Sequence, residues 1–403
     1  MRKYRIAQSP PTDWNKKRID EVCEISVGRD LKEECFSDEN DKEYVYPVYS
    51  NSVENRGLYG YYNFPEFTGI GLTVVGRGAG LGTAFSRNGS FGAIGRLLVL
   101  FPYKEISAHY LTDYINHKIS FHVESSGIPQ LTGEQIGKYT IQFPPLPEQN
   151  AIASLLSTWD LAIEKTERLI AAKEKHYLRL SKKYLFGDAA YTANASKKTK
   201  WFSVPDHWKI ANIGNVANEV SSFNRSGESV PVLSCTKYAG LVDSLTYFDK
   251  QVFSQDTSTY KVVARGQFAY ATNHIEEGSI GYQDVYDKGL VSPMYTVFET
   301  NEKVDDSYLY KVLKSVVYLH IFRANTSSSV DRRGSLRWKE FVKLPIPLPP
   351  IEEQKQIASI LTTARQEIDL LKKQAEAYRR QKRGLMQRLL TGEWRVKTDK
   401  EAN

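Results

Sequence analysis

The sequence is poor in the residues that staple, ligate or anchor a chain. Its three cysteines, Cys23, Cys35 and Cys235, are odd in number and far apart, which argues against both a disulfide framework and a cysteine zinc site. A reducing cytoplasm is the expected setting. The seven histidines (His109, His117, His122, His176, His207, His274 and His320) include no i,i+4 pair, so no metal site is expected. No apolar run approaches the roughly 20 residues that cross a bilayer, and Met1-Arg-Lys-Tyr-Arg5 lacks the apolar segment of a secretory signal. No membrane contact is expected. A phosphate-binding Walker loop is missing too. The glycine run from Leu72 to Gly82 alternates as GxGxGxG rather than GxGxxG, and Thr83 to Gly89 has no helical character. It reads as strand, turn, strand rather than as a cofactor loop. The acidic pairs Glu33-Glu34, Glu276-Glu277 and Asp305-Asp306 lie in polar surroundings and read as solvated turns. No catalytic constellation emerges, so the chain is expected not to be an enzyme and to bind no cofactor.

What the chain does have is a long motif written twice. Phe143-Pro-Pro-Leu-Pro-Glu-Gln149 and Pro347-Leu-Pro-Pro-Ile-Glu-Glu-Gln354 each open a helical run, and Gln149 to Gly187 superposes on Gln354 to Gly392 without a gap at an offset of 205. Proline at a helix start loses no internal hydrogen bond, and the glutamates favour the positive end of the helix dipole. Gly187 and Gly392 stand where a left-handed residue would close each helix. Each helix would be roughly 58 Å long at 1.5 Å per residue. Apolar residues recur every seven positions: Ile152, Trp159, Thr166 and Leu180 on one line, with Leu156, Ile163, Leu169/Ile170 and Tyr177 beside it. The second copy keeps this register through Ile357, Leu371, Tyr378 and Leu385, flanked by Leu361, Ile368, Ala375 and Leu389. Such stripes pack either on each other as a coiled coil or on their own domain's core. Two equal stripes in one chain favour mutual pairing, and core packing stays open.

A second repeated mark precedes each unit. Pro11-Thr-Asp-Trp14 matches Pro205-Asp-His-Trp208 at an offset of 194, so the second unit has gained eleven residues within its globular part. The resulting division is a first domain at 1–146, a helix at 147–187, a linker at 188–204, a second domain at 205–349, a helix at 350–392 and a tail at 393–403. Within the domains, strands are expected at Tyr46 to Tyr49, Leu72 to Val75, Thr83 to Phe85 and Ile94 to Phe101, and again at Val230 to Leu233, Gln267 to Ala271 and Tyr295 to Phe298. Helices are expected at Ala108 to Ile119 and Ser307 to Phe322. The fold class is α/β in the broad sense, a mixed α+β internal pseudo-repeat. Leu131 and Leu336 share the offset of 205 and anchor two loops of different content, Ser125 to Thr132 and Asn325 to Ser335. The formal charge of +7 falls on the helices, +2 on 148–187 and +5 on 353–392. Such charge can follow a phosphate backbone or simply solvate an exposed face.

At these residues the chain resembles the specificity (S) subunit of Type I restriction-modification systems. The resemblance covers nearly the whole chain. It rests on the paired openings Pro145 to Leu155 and Pro347 to Leu361, the helices ending at Gly187 and Gly392, the Pro-x-x-Trp marks, and Gly334-Ser-Leu-Arg-Trp-Lys-Glu-Phe-Val-Lys-Leu-Pro345. The first opening is a residue or two shorter than the second. The resemblance implies a non-catalytic reader of double-stranded DNA. Each target recognition domain would read one half of a bipartite asymmetric site, and the helices would form an antiparallel coiled coil that sets the gap. Two modification subunits holding S-adenosylmethionine and restriction subunits using ATP are the implied partners. Base or backbone contacts are expected from Arg77, Arg87, Ser126 and Gln130 in the first domain and from Asn273, His274, Arg332 and Arg333 in the second. The alternative is a coiled-coil scaffold with two ligand-binding domains that does not touch DNA.

Overall fold

The computed structural model describes residues 11–121, 130–187, 196–326 and 335–397, with the backbone only of 5, 6 and 196. The chain divides into two compact units, one made of Met1–Arg168 with Lys373–Asn403 and the other of Leu169–Lys372.

The first domain is built on a seven-stranded sheet in the order Cys23–Val27, Leu98–Pro102, Phe67–Val74, Ala84–Ala93, Tyr46–Tyr49, Leu58–Tyr62, Phe36–Ser37. Neighbours are antiparallel except Tyr46–Tyr49, which runs parallel to Ala84–Ala93. Alternating side chains divide its central strands between two cores. Leu72, Val74, Leu98 and Leu100 face the helix Ala108–Lys118 through Tyr110, Leu111 and Tyr114. Phe91, Ala93 and Val99 pack on the other face with Phe67, Phe85 and Phe101. The glycine run is the expected hairpin, with Val74 opposite Ala84. The strand expected from Ile94 begins only at Leu98, because Gly95 and Arg96 both take left-handed angles (φ 64°) and turn the chain.

The second domain has a four-stranded sheet in the order Ala217–Val220, Tyr295–Thr300, Phe268–Ala271, Ile280–Tyr282. Two antiparallel pairs stand beside it, the hairpin Leu233–Thr236 with Gly240–Asp243 and the longer-range pair Lys261–Ala264 with Lys288–Val291. The strand expected at Val230 to Leu233 is displaced to Leu233–Thr236. The helix expected from Ser307 to Phe322 is two, Asp306–Leu313 and Val316–Asn325. Ser315 breaks it: its hydroxyl accepts from the Tyr318 amide at 3.3 Å and starts the second helix as an N-cap.

The repeated opening has a shared structural cause. Gln149 is fully buried; its Nε2 donates to Glu105 O and Pro144 O, both at 2.9 Å, and its Oε1 accepts from Ser107 N at 2.8 Å. Gln354 repeats this with Lys303 O (3.2 Å), Pro349 O (2.9 Å) and Asp305 N (2.8 Å). Tyr110 donates to Gln142 O at 3.0 Å, and Tyr308 to Pro347 O at 3.1 Å. Asn15–Arg18 pairs with Thr140–Phe143 as Lys209–Asn212 pairs with Pro345–Leu348.

The helices run over Leu146–Phe186 and Ile351–Leu389. Gly187 (φ +73°) closes the first as expected, whereas the second loosens into a turn at Leu390 before Gly392 (φ +74°). A side chain at Gly187 would meet the Pro205 ring at 3.0 Å, and one at Gly392 would overlap Pro11. Each helix end is thereby seated on a Pro-x-x-Trp mark.

The helices pair antiparallel in each unit. In the first, Trp159 meets Tyr378 edge-on at 5.7 Å, Glu167 pairs with Arg379, and Lys382 reaches Asp160 at 2.6 Å. In the second, Lys173 pairs with Glu367 (2.7 Å), Glu174 with Lys372 (2.6 Å), and Arg365 lies over Tyr177. Ile368 is buried, and Ile163 and Leu371 are half-buried. Leu169, read as a flanking stripe residue, is 43% exposed, and the half-buried Ile170 takes the inner place. The remaining stripe residues serve the domain cores. Ile152, Leu156 and Leu385 pack in the first domain's core with Met386 and Leu389, and Leu180, Ile357 and Leu361 pack in the second's.

The C-terminal segment returns to the first domain. Trp394–Arg395 pairs with Arg5–Ile6, and Arg395 binds Glu148 and Asp13 bidentately at 2.7–3.1 Å. These two hydrogen-bonded carboxylates hold the guanidinium well above its usual pKa, and Arg395 lowers that of Asp13.

Two outcomes follow from this packing. Gln354→Ala leaves an amide and two carbonyls without their donor or acceptor, and should cost about 3 kcal/mol in urea unfolding; a loss below about 1 kcal/mol would mean that water replaces the amide. Asp113 is half-buried beside Lys382 (4.0 Å), which also pairs with Asp160 (2.6 Å); desolvation, aided by the Asp160 charge, raises its carboxyl from 3.8 to about 6 against the pull of Lys382. The folded chain therefore holds a proton that the unfolded chain releases in that window, and stability falls as pH rises through it. Relative to wild type, Asp113→Asn should gain stability by on the order of 2 kcal/mol between pH 4 and 7. Parallel pH profiles of the two melts check this.

Candidate nucleic-acid interface

In each domain one turn is braced by the anchor of a loop. In the first, Val75 N donates to Thr83 O (2.9 Å) and Gly82 N to Val75 O (2.8 Å), closing the neck of the glycine hairpin. The Asn51 side chain accepts from Gly76 N at 2.7 Å, and Leu131 N donates to Gly76 O at 2.8 Å. That last bond lays Gln130 against Arg77 as an isolated antiparallel bridge, with Arg77 exposed and Gln130 half-buried. In the second domain Leu336 N donates to Thr272 O at 2.9 Å, and Asn273 and His274 follow at once. Leu131 and Leu336, both buried, thus do the same work. Arg77 and Asn273 occupy equivalent positions, each next to the carbonyl that receives the leucine amide.

Not every expected contact residue lies on such a face. Arg87 is 6% exposed, its guanidinium 3.5 Å over the Tyr49 ring, with Nε on Thr73 Oγ1 (3.0 Å) and Nη2 on Arg56 O (2.6 Å). It belongs to the sheet, and the expectation of a direct contact is corrected. The sequence signal misled because what encloses Arg87, namely Tyr49, Thr73 and Arg56, lies on other segments than its own strand. Ser126, Arg332 and Arg333 lie outside the described residues.

His274 is exposed, with Nδ1 3.6 Å from Glu277 Oε1; Glu276 completes a group whose ligand atoms lie within 4.8 Å of one another. Its neighbourhood is acidic, which suits a base edge better than a phosphate.

Lys314 was not anticipated. From the break between the two helices its Nζ donates to Lys237 O (2.7 Å) and Gly278 O (2.9 Å), with Ile280 O and Thr236 O at 3.4 and 3.5 Å. Burial lowers its pKa to about 8. The sequence reading ran a single helix through this position, so nothing marked it.

This arrangement defines a class first: two equivalent α+β domains on an antiparallel helix pair, each presenting a braced turn of different content. The family follows from comparison. The model of the type I restriction modification DNA specificity domain matches residues 11–174 and 206–377, and the chain belongs to that family. A putative type I restriction enzyme MjaX specificity subunit of Methanocaldococcus jannaschii is 27% identical over 327 residues, covering 75% of this chain and 72% of that one. A putative type I specificity subunit of Mycoplasma pneumoniae, S.MpnORF507P, is 26% identical over 90% of this chain and 95% of its own. The crystal structure of a Type I restriction-modification S subunit from M. genitalium shares the fold, with a TM-score of 0.64 at 16% identity, over 96% of this chain and 97% of that one.

Lys314→Met should leave the core intact and free the carbonyls beneath the turn. Amide exchange across residues 275–280 should quicken about tenfold relative to the strand Tyr295–Thr300. Uniform quickening would show instead that Lys314 supports the whole domain.

Proposed function

We propose that this chain is the DNA-reading specificity subunit of a Type I restriction-modification complex, each domain reading one half of a bipartite asymmetric site. One observation carries this most directly: the two domains repeat the bracing of a turn and change what the turn presents. Arg77 offers donors suited to guanine O6/N7, and the Gln130 amide an acceptor and a donor suited to adenine N6 and N7; Asn273 and His274 offer a different set. Equivalent turns with unequal chemistry suit unequal half-sites. Ser126, Arg332 and Arg333 belong to the proposed contact set through the loops that Leu131 and Leu336 anchor. The chain itself is proposed to be non-catalytic and free of cofactor. S-adenosylmethionine would sit on two modification subunits and ATP on restriction subunits, in the cytoplasm. No observation favours the scaffold alternative. Among the described residues no helix is long and apolar enough to cross a membrane.

If the helix pair acts as the ruler, one heptad inserted after Ala172 and another after Leu371 keeps the seam in register and adds roughly 10 Å. The two half-sites should stay the same and the gap between them lengthen by about three base pairs. Methylation mapping in a host expressing the variant with its modification subunit reads this directly. An unchanged gap would remove the ruler, and a single continuous methylated motif from the wild type would remove the bipartite reading. Methylation by this chain alone would make it an enzyme.

A further inference from the structure

The turn between Tyr46–Tyr49 and Leu58–Tyr62 is unusual in its backbone and in its charge. Asn55 (φ 45°), Arg56 (φ 54°) and Gly57 (φ 82°) are left-handed in succession. Asparagine and glycine tolerate this conformation, whereas arginine is disfavoured there by about 1–2 kcal/mol. The buried Arg87 holds it: the bond from its Nη2 to Arg56 O ties the turn to the sheet, while Nε is fixed by Thr73 and the guanidinium plane by Tyr49.

Two guanidinium groups are thereby gathered on one ring, Arg87 at 5.3 Å and Arg56 at 5.9 Å from the centre of Phe85. Among the described residues neither has a carboxylate within 4.0 Å, that of the neighbouring Glu54 included. Arg56 is exposed, and the one hydrogen bond its guanidinium makes there is a 3.5 Å contact with Ser86 O. Burial, reinforced by the Arg56 charge, lowers the Arg87 pKa to about 10. An exposed cation backed by a buried one, with no counter-ion, is the complement of an external anion. The turn also adjoins the glycine hairpin. Val53 occupies the space that a side chain at Gly80 would need, and Asn51 holds Gly76, next to Arg77.

We propose that Arg56 is a DNA-phosphate contact of the first domain and that Arg87 is its positioning residue. The phosphate contact fixes the duplex beside Arg77 without reading sequence. This rests on the DNA-reading function proposed above.

The test uses the chain assembled with its modification subunits, titrated across a salt series with two duplexes of equal length, one carrying the site located by methylation mapping and one scrambled. Arg56→Ala should weaken both by a similar factor, about fivefold or more at moderate salt, and reduce the slope of log K against log salt by about 1. Arg56→Lys should keep most of the slope. Arg87→Lys retains a charge but cannot reach Thr73 and the Arg56 carbonyl together, so it should resemble Arg56→Ala while near-UV circular dichroism stays native. If Arg87→Lys does not fold, the Arg56 pair decides alone. An unchanged slope in Arg56→Ala overturns the proposal, as does a loss confined to the mapped site, which would make Arg56 a base reader. If the wild-type complex binds neither duplex, the DNA-reading function itself fails; that result is separate from a failure of the variants alone.

Discussion

The architecture depends on two buried glutamines. Gln149 and Gln354 each satisfy three backbone groups that would otherwise be stranded out of reach of water. One of those groups lies just before the long helix and two lie in the segment leading to the domain's own helix, so the amide ties the long helix to its domain at the point where both begin. Prolines around it contribute carbonyls without amides. The glutamine supplies donors that the local chain lacks. A hydrophobic residue would fill the space and leave those groups unpaired, which explains why the motif carries a polar side chain at a fully buried position.

Two readings of the apolar stripes both prove correct, on different segments. Near each helix start the stripe completes a domain core, through Ile152 and Leu156 in one and Ile357 and Leu361 in the other. Farther along it becomes a seam bordered by ion pairs such as Lys173–Glu367 and Lys372–Glu174. These pairs are largely exposed, and pairs of that kind contribute little stability. Their value lies in register and direction, because from Asp160–Lys382 and Glu167–Arg379 to Lys173–Glu367 the numbers rise on one helix and fall on the other.

Much of this was legible in the sequence because the helix signal is local and repeated. Proline openings, a seven-residue period and terminal glycines carry their meaning within a few turns, and the second copy checks the first. The mixed fold and the glycine hairpin were legible for the same reason. The candidate interface was not. Arg87 and Arg77 look alike in a sequence; only the pairing of Phe67–Val74 with Ala84–Ala93 shows that one is enclosed. Lys314 gains its role from carbonyls far away in sequence, and Ser315 breaks a helix that its apolar spacing had suggested was continuous. Long-range contacts decided Arg87 and Lys314, and no local pattern encodes them; the Ser315 cap is local, but the apolar spacing on either side of it masked the break.

The return of the C-terminal segment bears on how the protein is made. The second domain draws its core from residues 177 to 361, a single continuous stretch, so all its parts exist once that stretch has been synthesised. The first domain draws on Met386, Leu389, Leu390 and Val396, and Arg395 must reach Glu148 and Asp13. It is translated first but can be completed only last, after the ribosome has added the residues that close it. Until then its exposed apolar side is open to whatever else the nascent chain meets.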